Sequence, residues 1–352
     1  MVDAPGGDDS GSIALERPIA TVAVLGAGSW GTALAMLLAR NGLTTLLWGR
    51  NPAELQQMAQ QRCNHRFLPG LSFPEGLQIA PALDAALQQA DLVLLAVPSH
   101  GFRELAEQVV PGLRPGQRLL WATKGLDLRS GQPLHTIITA LCPKAVPYAV
   151  ISGPTFAAEV ARGLPTAVTV AATDAGYARM LAAAFSNDRF RVYTSSDIVG
   201  VELGGSVKNV LAIAAGIADG QGFGANTRAA LVTRGLYEMM SLGLACGGLR
   251  ETFMGLTGLG DLVLTCTDDQ SRNRRFGLAL GRGVAVAEAR RQIDQVIEGI
   301  ETTEAIHRLA RHHHVEMPIV EQVYHVLFEG RELKTAVSSL FGRGLKAEDA
   351  PL

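Results

Sequence analysis

The 352-residue sequence predicts an α/β protein: a doubly wound parallel sheet in the N-terminal half, then an all-helical C-terminal half. Three observations lead there. From residue 19 to about residue 194, short β-branched runs alternate with Ala/Leu-rich stretches, the pattern of stacked βαβ units. A glycine-rich turn at residues 26–31 follows the first of those runs. After Ser195 the strand runs stop, and long Ala/Leu/Gly segments with helical periodicity begin at about Val199.

The clearest strands are residues 19–25, 44–48, 91–97, 118–123, 147–152 and 166–171. An amphipathic helix opens at the glycine turn, runs to Arg40 and stops at Asn41 and Gly42. The expected division is a disordered tail at 1–18, a Rossmann-type dinucleotide-binding domain at 19–197, a helical substrate domain at 198–342 and a tail at 343–352. The acidic, Gly-rich start from Met1 to Ser12 lacks the basic and apolar regions of a signal peptide. No apolar run is expected to approach the roughly 18 residues of a membrane span. No low-complexity linker separates the domains, so a shared interface holding a ligand cleft is expected.

Lys+Arg 31 against Asp+Glu 33 leaves a net charge of −2, which excludes an overall basic field for nucleic acid or anionic lipid. An anionic ligand must be met locally. A hydrophobic content of 47% with 18% charged residues is that of a globular chain. Cys63, Cys142, Cys246 and Cys266 form no C-x-x-C pair and read as reduced cytosolic thiols, with no zinc ribbon. Consecutive His312, His313 and His314 point in different directions on a helix, so no metal site is assigned to them.

The turn Gly26-Ala27-Gly28-Ser29-Trp30-Gly31 is a G-x-G-x-x-G between strand and helix. Gly26 allows the tight turn, Gly28 lets a pyrophosphate approach the backbone, and Gly31 permits close helix packing. The helix N-terminus adds N–H groups and partial positive charge for phosphates. An NAD site ends its second strand in an acid for the ribose hydroxyls, yet here the chain reads Trp48-Gly49-Arg50-Asn51. Arg50 suits a 2′-phosphate, so NADP(H) is expected to be preferred to, or shared with, NAD(H). Its other reading is a solvent-facing surface arginine.

Two lysines stand in apolar or Gly-rich surroundings. Lys124 follows a strand and projects from the sheet's carboxyl edge, where doubly wound folds bind ligands. Lys208 opens an all-round apolar helix; there, desolvation disfavours the ammonium and suits it to acid/base work, unless it snorkels to water. Asp261, in Gly258-Leu259-Gly260-Asp261, is a buried-looking carboxylate able to partner Lys208. Ser271, Arg272 and Asn273 read as an anion clamp at a helix start, while Arg274 and Arg275 read as a solvated charge run.

The stretches GAGSWGTALA, NHRFLP, LAVPS, TKGL, SGPTFAAE, GSVKNVLAIAAGIADGQGFGANTRAALVTRGL and GLTGLGDLVLTCTDDQSRNRRFG, in this order, resemble those of bacterial-type NAD(P)-dependent sn-glycerol-3-phosphate dehydrogenases. The likeness spans nearly the whole chain, and its long second-half blocks are far more specific than the glycine turn. It implies reversible reduction of dihydroxyacetone phosphate to sn-glycerol 3-phosphate for phospholipid synthesis by a cytoplasmic homodimer that needs no metal. By matching position, Lys208 is the proton acceptor and Lys124 touches cofactor and substrate. Gly153, Thr155, Asp261, Ser271, Arg272 and Asn273 then surround the substrate. Ser29, Trp30, Arg50, Ala157, Arg272, Val296 and Glu298 hold the nicotinamide nucleotide. Phe67 stands where the family often has Tyr, and the acidic tail has no counterpart. Two other readings stay open on the residues: a β-hydroxyacid or 6-phosphogluconate dehydrogenase relative, and a silent nucleotide-sensing module.

Overall fold

The computed structural model describes residues 17–143, 146–293 and 295–342. The expected tails at 1–18 and 343–352 lie outside them, apart from residues 17 and 18. In chain order the first elements are β1 (Thr21–Leu25), α1 (Ser29–Arg40), β2 (Thr44–Trp48), α2 (Pro52–Gln61), β3 (Leu77–Ile79), α3 (Leu83–Gln89) and β4 (Leu92–Leu95). Then come α4 (Ser99–Val109), β5 (Arg118–Trp121), α5 (Leu134–Leu141), β6 (Tyr148–Ser152), α6 (Ala157–Arg162), β7 (Thr166–Ala172), α7 (Ala175–Phe185) and β8 (Phe190–Ser195). The rest is helical: α8 (Ile198–Gly220), α9 (Ala225–Ala245), α10 (Arg250–Phe253), α11 (Asp261–Thr267) and α12 (Arg272–Gly281). α13 (Val286–Arg291), α14 (Glu298–His312), α15 (Pro318–Phe328) and α16 (Leu333–Phe341) complete it.

Among the described residues the strands form one sheet in the order β3-β2-β1-β4-β5-β6-β7-β8. The central strands are apolar runs because helices cover both faces: β4 and β5 are buried throughout. One expectation needs correction. The sheet is not wholly parallel, for β6 pairs antiparallel to β7. The chain between them is short, and its helix α6 packs on α1, with Arg40 Nη2 donating to Ala161 O at 2.6 Å. β3 and β8 are additions to the expected strands: β3 has three residues, and β8 is a half-exposed edge carrying Arg191 and Thr194.

The membrane-span expectation is also corrected: α8, at 23 residues, is long and apolar enough to cross a membrane. In the fold it is the core helix of the second half, buried along almost its whole length. It lies against α12 backbone to backbone. A methyl group on Gly216 would collide with Arg274 O, on Gly277 with Ile213 O, and on Gly281 with Ile217 O. This glycine seam brings the start of α12 beside the middle of α8.

Candidate active site

A cleft of about 840 Å³ lies between the carboxyl edge of the sheet and the helical half. At one end is the β1–α1 turn. Gly26 has φ +126°, and a Cβ there would stand 2.5 Å from Ala96 O, so the turn can lie against β4 only as glycine. A Cβ on Gly28 would meet nothing within 4 Å, leaving room for a ligand against the backbone. Gly31 does not line the cleft: a side chain there would strike Gly26 O, so it serves helix packing. No side chain caps α1, and the buried Trp30 Nε1 has no hydrogen-bond partner among the described residues. An uncapped helix start beside open space fits a pyrophosphate, and the cradle therefore fits a dinucleotide. Arg50 is exposed at the end of β2 and lines this end. Glu54 lines it too, but pairs with Arg66 at 2.6 Å.

Asn64 is a residue that sequence reasoning passed over. Its amide donates to Ala27 O and Thr32 Oγ1, both at 2.9 Å, and so clasps the glycine turn from the NHRFLP segment.

At the cleft floor the structure brings three expected residues together. Lys124 Nζ lies 2.7 Å from Asp261 Oδ2 and 3.0 Å from Gly153 O. Lys208 Nζ donates to Asp261 Oδ1 and, at 3.0 Å, to Thr265 Oγ1. Asp261 is wholly buried and follows a π-helical turn at Leu256–Gly260, which Gly204 of α8 admits by approaching Thr257 O. Asp261 and Gly153 therefore stand behind the lysines and do not line the cleft, whereas Lys124, Lys208 and Thr155 do. Thr155 Oγ1 donates to the same Gly153 O at 3.1 Å. Burial pushes the Lys208 amine down from 10.5 to about 8; Asp261 opposes the shift, and the Lys124 charge adds to it. Thr265, one turn after Asp261, and Asn209, next to Lys208, both line the cleft and were not singled out.

The third wall is the start of α12. Arg272 faces the cleft without a hydrogen-bonded partner among the described residues, a guanidinium left for an anion. Ser271 lines the cleft but also caps α12, its Oγ accepting from Arg274 N at 3.2 Å. Asn273 is held from both sides: its amide donates to Asn209 Oδ1 and its carbonyl accepts from Gly299 N, each at 2.9 Å. Arg274 corrects the solvated-run reading, because it is buried. It donates to Cys266 O, pairs with Asp219 at 2.5 Å and also pairs with Asp269. Arg275 is exposed.

Ala157 opens α6 and, like Val296 and Glu298, lines the cleft. Burial raises the Glu298 carboxyl, against the pull of Arg272, Lys124 and Lys208. Among the described residues no three His, Cys, Asp or Glu side chains converge to hold a metal.

Two family models match the chain: NAD-dependent glycerol-3-phosphate dehydrogenase N-terminus over residues 21–178, and its C-terminus over residues 197–338. The glycerol-3-phosphate dehydrogenase [NAD(P)+] of Bartonella henselae is 51% identical over 329 residues, covering 93% of this chain and 97% of that protein. That of Thioalkalivibrio sulfidiphilus is 56% identical over 327 residues, covering 93% and 98%. The crystal structure of glycerol-3-phosphate dehydrogenase from Coxiella burnetii superposes with a TM-score of 0.88 at 48% identity, covering 92% of this chain and 99% of that one.

Proposed function

Because the chain belongs to the NAD-dependent glycerol-3-phosphate dehydrogenase family, we propose that its cleft reduces dihydroxyacetone phosphate to sn-glycerol 3-phosphate, reversibly and with NAD(P)H, using Lys208 as acid and base. Membership sets aside the β-hydroxyacid and nucleotide-sensing alternatives. The observation that carries the lysine assignment is the pair of amines held on one buried carboxylate at the cleft floor, between the glycine turn and Arg272, which has no hydrogen-bonded partner among the described residues.

In this reading Arg272 takes the substrate phosphate, helped by the first N–H groups of α12. Binding a non-reacting group in this way orients the carbonyl over the lysines. When bound, the nicotinamide nucleotide supplies the hydride for C2. Lys124, anchored on Asp261 and Gly153 O, polarises the carbonyl oxygen. Lys208 gives that oxygen a proton during reduction and takes one from the C2 hydroxyl during oxidation, recharging from solvent. Asp261 fixes Lys208 and offsets the local positive charge. In this reading Gly26, Gly28, Ser29, Trp30, Arg50, Ala157, Val296 and Glu298, all of which line the cleft, hold the cofactor.

A cytoplasmic homodimer supplying phospholipid synthesis belongs to the same reading and rests on the family likeness. The division into domains at 19–197 and 198–342 is supported by β8 ending at Ser195 and α8 starting at Ile198. The test follows NADPH absorbance with dihydroxyacetone phosphate against unphosphorylated dihydroxyacetone. Rapid loss with the first only is expected; equal turnover of both, or none in a folded protein, overturns the reading.

A further inference from the structure

Glu202 lies on α8, six positions before Lys208, and does not line the cleft. It is 5% exposed, and its carboxylate collects three donors from outside its helix. Trp121 Nε1 donates to Oε1 at 2.9 Å, the His135 backbone N–H lies 3.0 Å from the same oxygen, and His135 Nδ1 lies 2.6 Å from Oε2. One turn further along α8, Ser206 Oγ accepts from Gly125 N at 2.9 Å and lies 3.0 Å from Gly125 O. Trp121 ends β5, and Gly125 follows Lys124 directly. Glu202 and Ser206 thus grip the chain on both sides of Lys124. Between them, Gly205 lets α8 approach the end of β6: a Cβ there would stand 2.6 Å from Ser152 Oγ, while the Lys124 stem passes at ordinary contact distance, 3.6 Å from Cγ.

We propose that Glu202 is a positioning residue for the reaction: through Trp121 and His135, with Ser206 as its second grip, it sets where Lys124 Nζ stands relative to Asp261 and the substrate carbonyl. This rests on the reading that Lys124 serves that carbonyl. An apolar side chain would suffice to pack α8 on the sheet, since burying a carboxylate costs free energy unless it is hydrogen-bonded. Directed hydrogen bonds add a fixed register. Lys124 must meet Asp261 Oδ2 and Gly153 O at once, and a displacement of about 1 Å at such a group costs on the order of 10²-fold in rate. The charged or titratable groups facing Lys208 are Asp261 and Cys266 from α11, Lys124 from the loop after β5, and Glu298 from α14.

The test is a double-mutant cycle of Glu202→Gln with Lys124→Met, read as kcat/KM for dihydroxyacetone phosphate at saturating NADPH. Lys124→Met is expected to lose about 10²-fold and Glu202→Gln about 10-fold, and the double variant should match Lys124→Met within about 2-fold, because coupled residues are not additive. The basic limb of glycerol 3-phosphate oxidation should move to higher pH in Glu202→Gln, as in Lys124→Met, because retreat of the Lys124 charge lets Lys208 hold its proton longer. General loosening of the fold would lower rates without moving that limb. Should Glu202→Gln fail to fold, Ser206→Ala enters the same cycle. A Glu202→Gln loss that is undiminished in the Lys124→Met background, or wild-type kcat/KM in Glu202→Gln, overturns the proposal. Lys208→Met, run alongside, tests the acid/base assignment separately: a basic limb that survives there sinks that assignment and leaves the cycle readable.

Discussion

Replacing Lys208 by Met removes the ionisable group from the cleft floor while keeping an unbranched side chain against α11. With the amine at about 8, roughly one-tenth of it is neutral at pH 7 and roughly nine-tenths at pH 9. An ordinary lysine at 10.5 would be neutral in only about 3 of 10⁴ molecules at pH 7, so burial raises the proton-accepting form by about 300-fold. The sign follows from the direction of the reaction. Oxidation needs the free amine, so its kcat should rise about tenfold from pH 7 to pH 9 and then level off; reduction needs the ammonium and should fall over the same range. Lys208→Met should lower kcat by about 10²-fold or more, leave the Kd for NADPH within about twofold, and erase the basic limb. The assay is initial rate against pH in both directions, with NADPH binding followed by fluorescence. Wild-type kcat in the variant, or an unchanged limb in its residual activity, would refute the assignment.

Other residues of the cleft carry their own expectations. NADPH should be used at least as well as NADH, and Arg50→Asp should reverse the order of kcat/KM; a strong wild-type preference for NADH with no response to the substitution would remove the 2′-phosphate contact. Arg272→Ala should raise KM for dihydroxyacetone phosphate by about 10- to 100-fold, the loss of one charge-assisted hydrogen bond of roughly 1.5–3 kcal/mol, and hardly affect unphosphorylated dihydroxyacetone. Equal losses on the two substrates at saturating cofactor would deny a phosphate contact. Asp261→Asn removes the charge that holds the Lys208 proton, so the basic limb of oxidation should move below pH 8, opposite to the shift in Lys124→Met. A limb that stays in place would show that Asp261 does not act on Lys208.

Much of this was legible because local patterns report local geometry. The strand, glycine turn and amphipathic helix at residues 19–40 need only contacts within that stretch, and β1 and α1 lie within it. What failed depended on partners far along the chain. Arg274 reads as part of a charge run until Asp219, fifty-five positions away, folds against it. The antiparallel return of β7 rests on α6 docking on α1, which no periodicity within residues 153–165 encodes. The sequence also suggests which residues gather but not which way they face. Asp261 and Gly153 belong to the lysine cluster, yet the side of it that faces the cleft is made by Lys124, Lys208, Thr155, Thr265 and Asn209. Glu202 gave no signal at all, since a single acid in an apolar helix looks the same whether it points to water or to an indole.

The packing of α8 has a further consequence, for the order in which the molecule acquires its chemistry. The helix carries five glycines in 23 residues, and in a helix interior each costs about 1 kcal/mol relative to alanine. Such a segment has little tendency to be helical alone and is held in that form by what covers it. The same glycines that let Thr257, Ser152 and the α12 backbone approach are the ones that weaken the helix in isolation. Lys208 owes its acidity to burial, so that acidity depends on the packing of α8 against α11, α12 and the sheet edge together. If Lys208 is the acid/base, any local opening of that seam re-solvates it without unfolding the sheet, so activity reports on the closure of α8 against α12 as well as on the cleft itself.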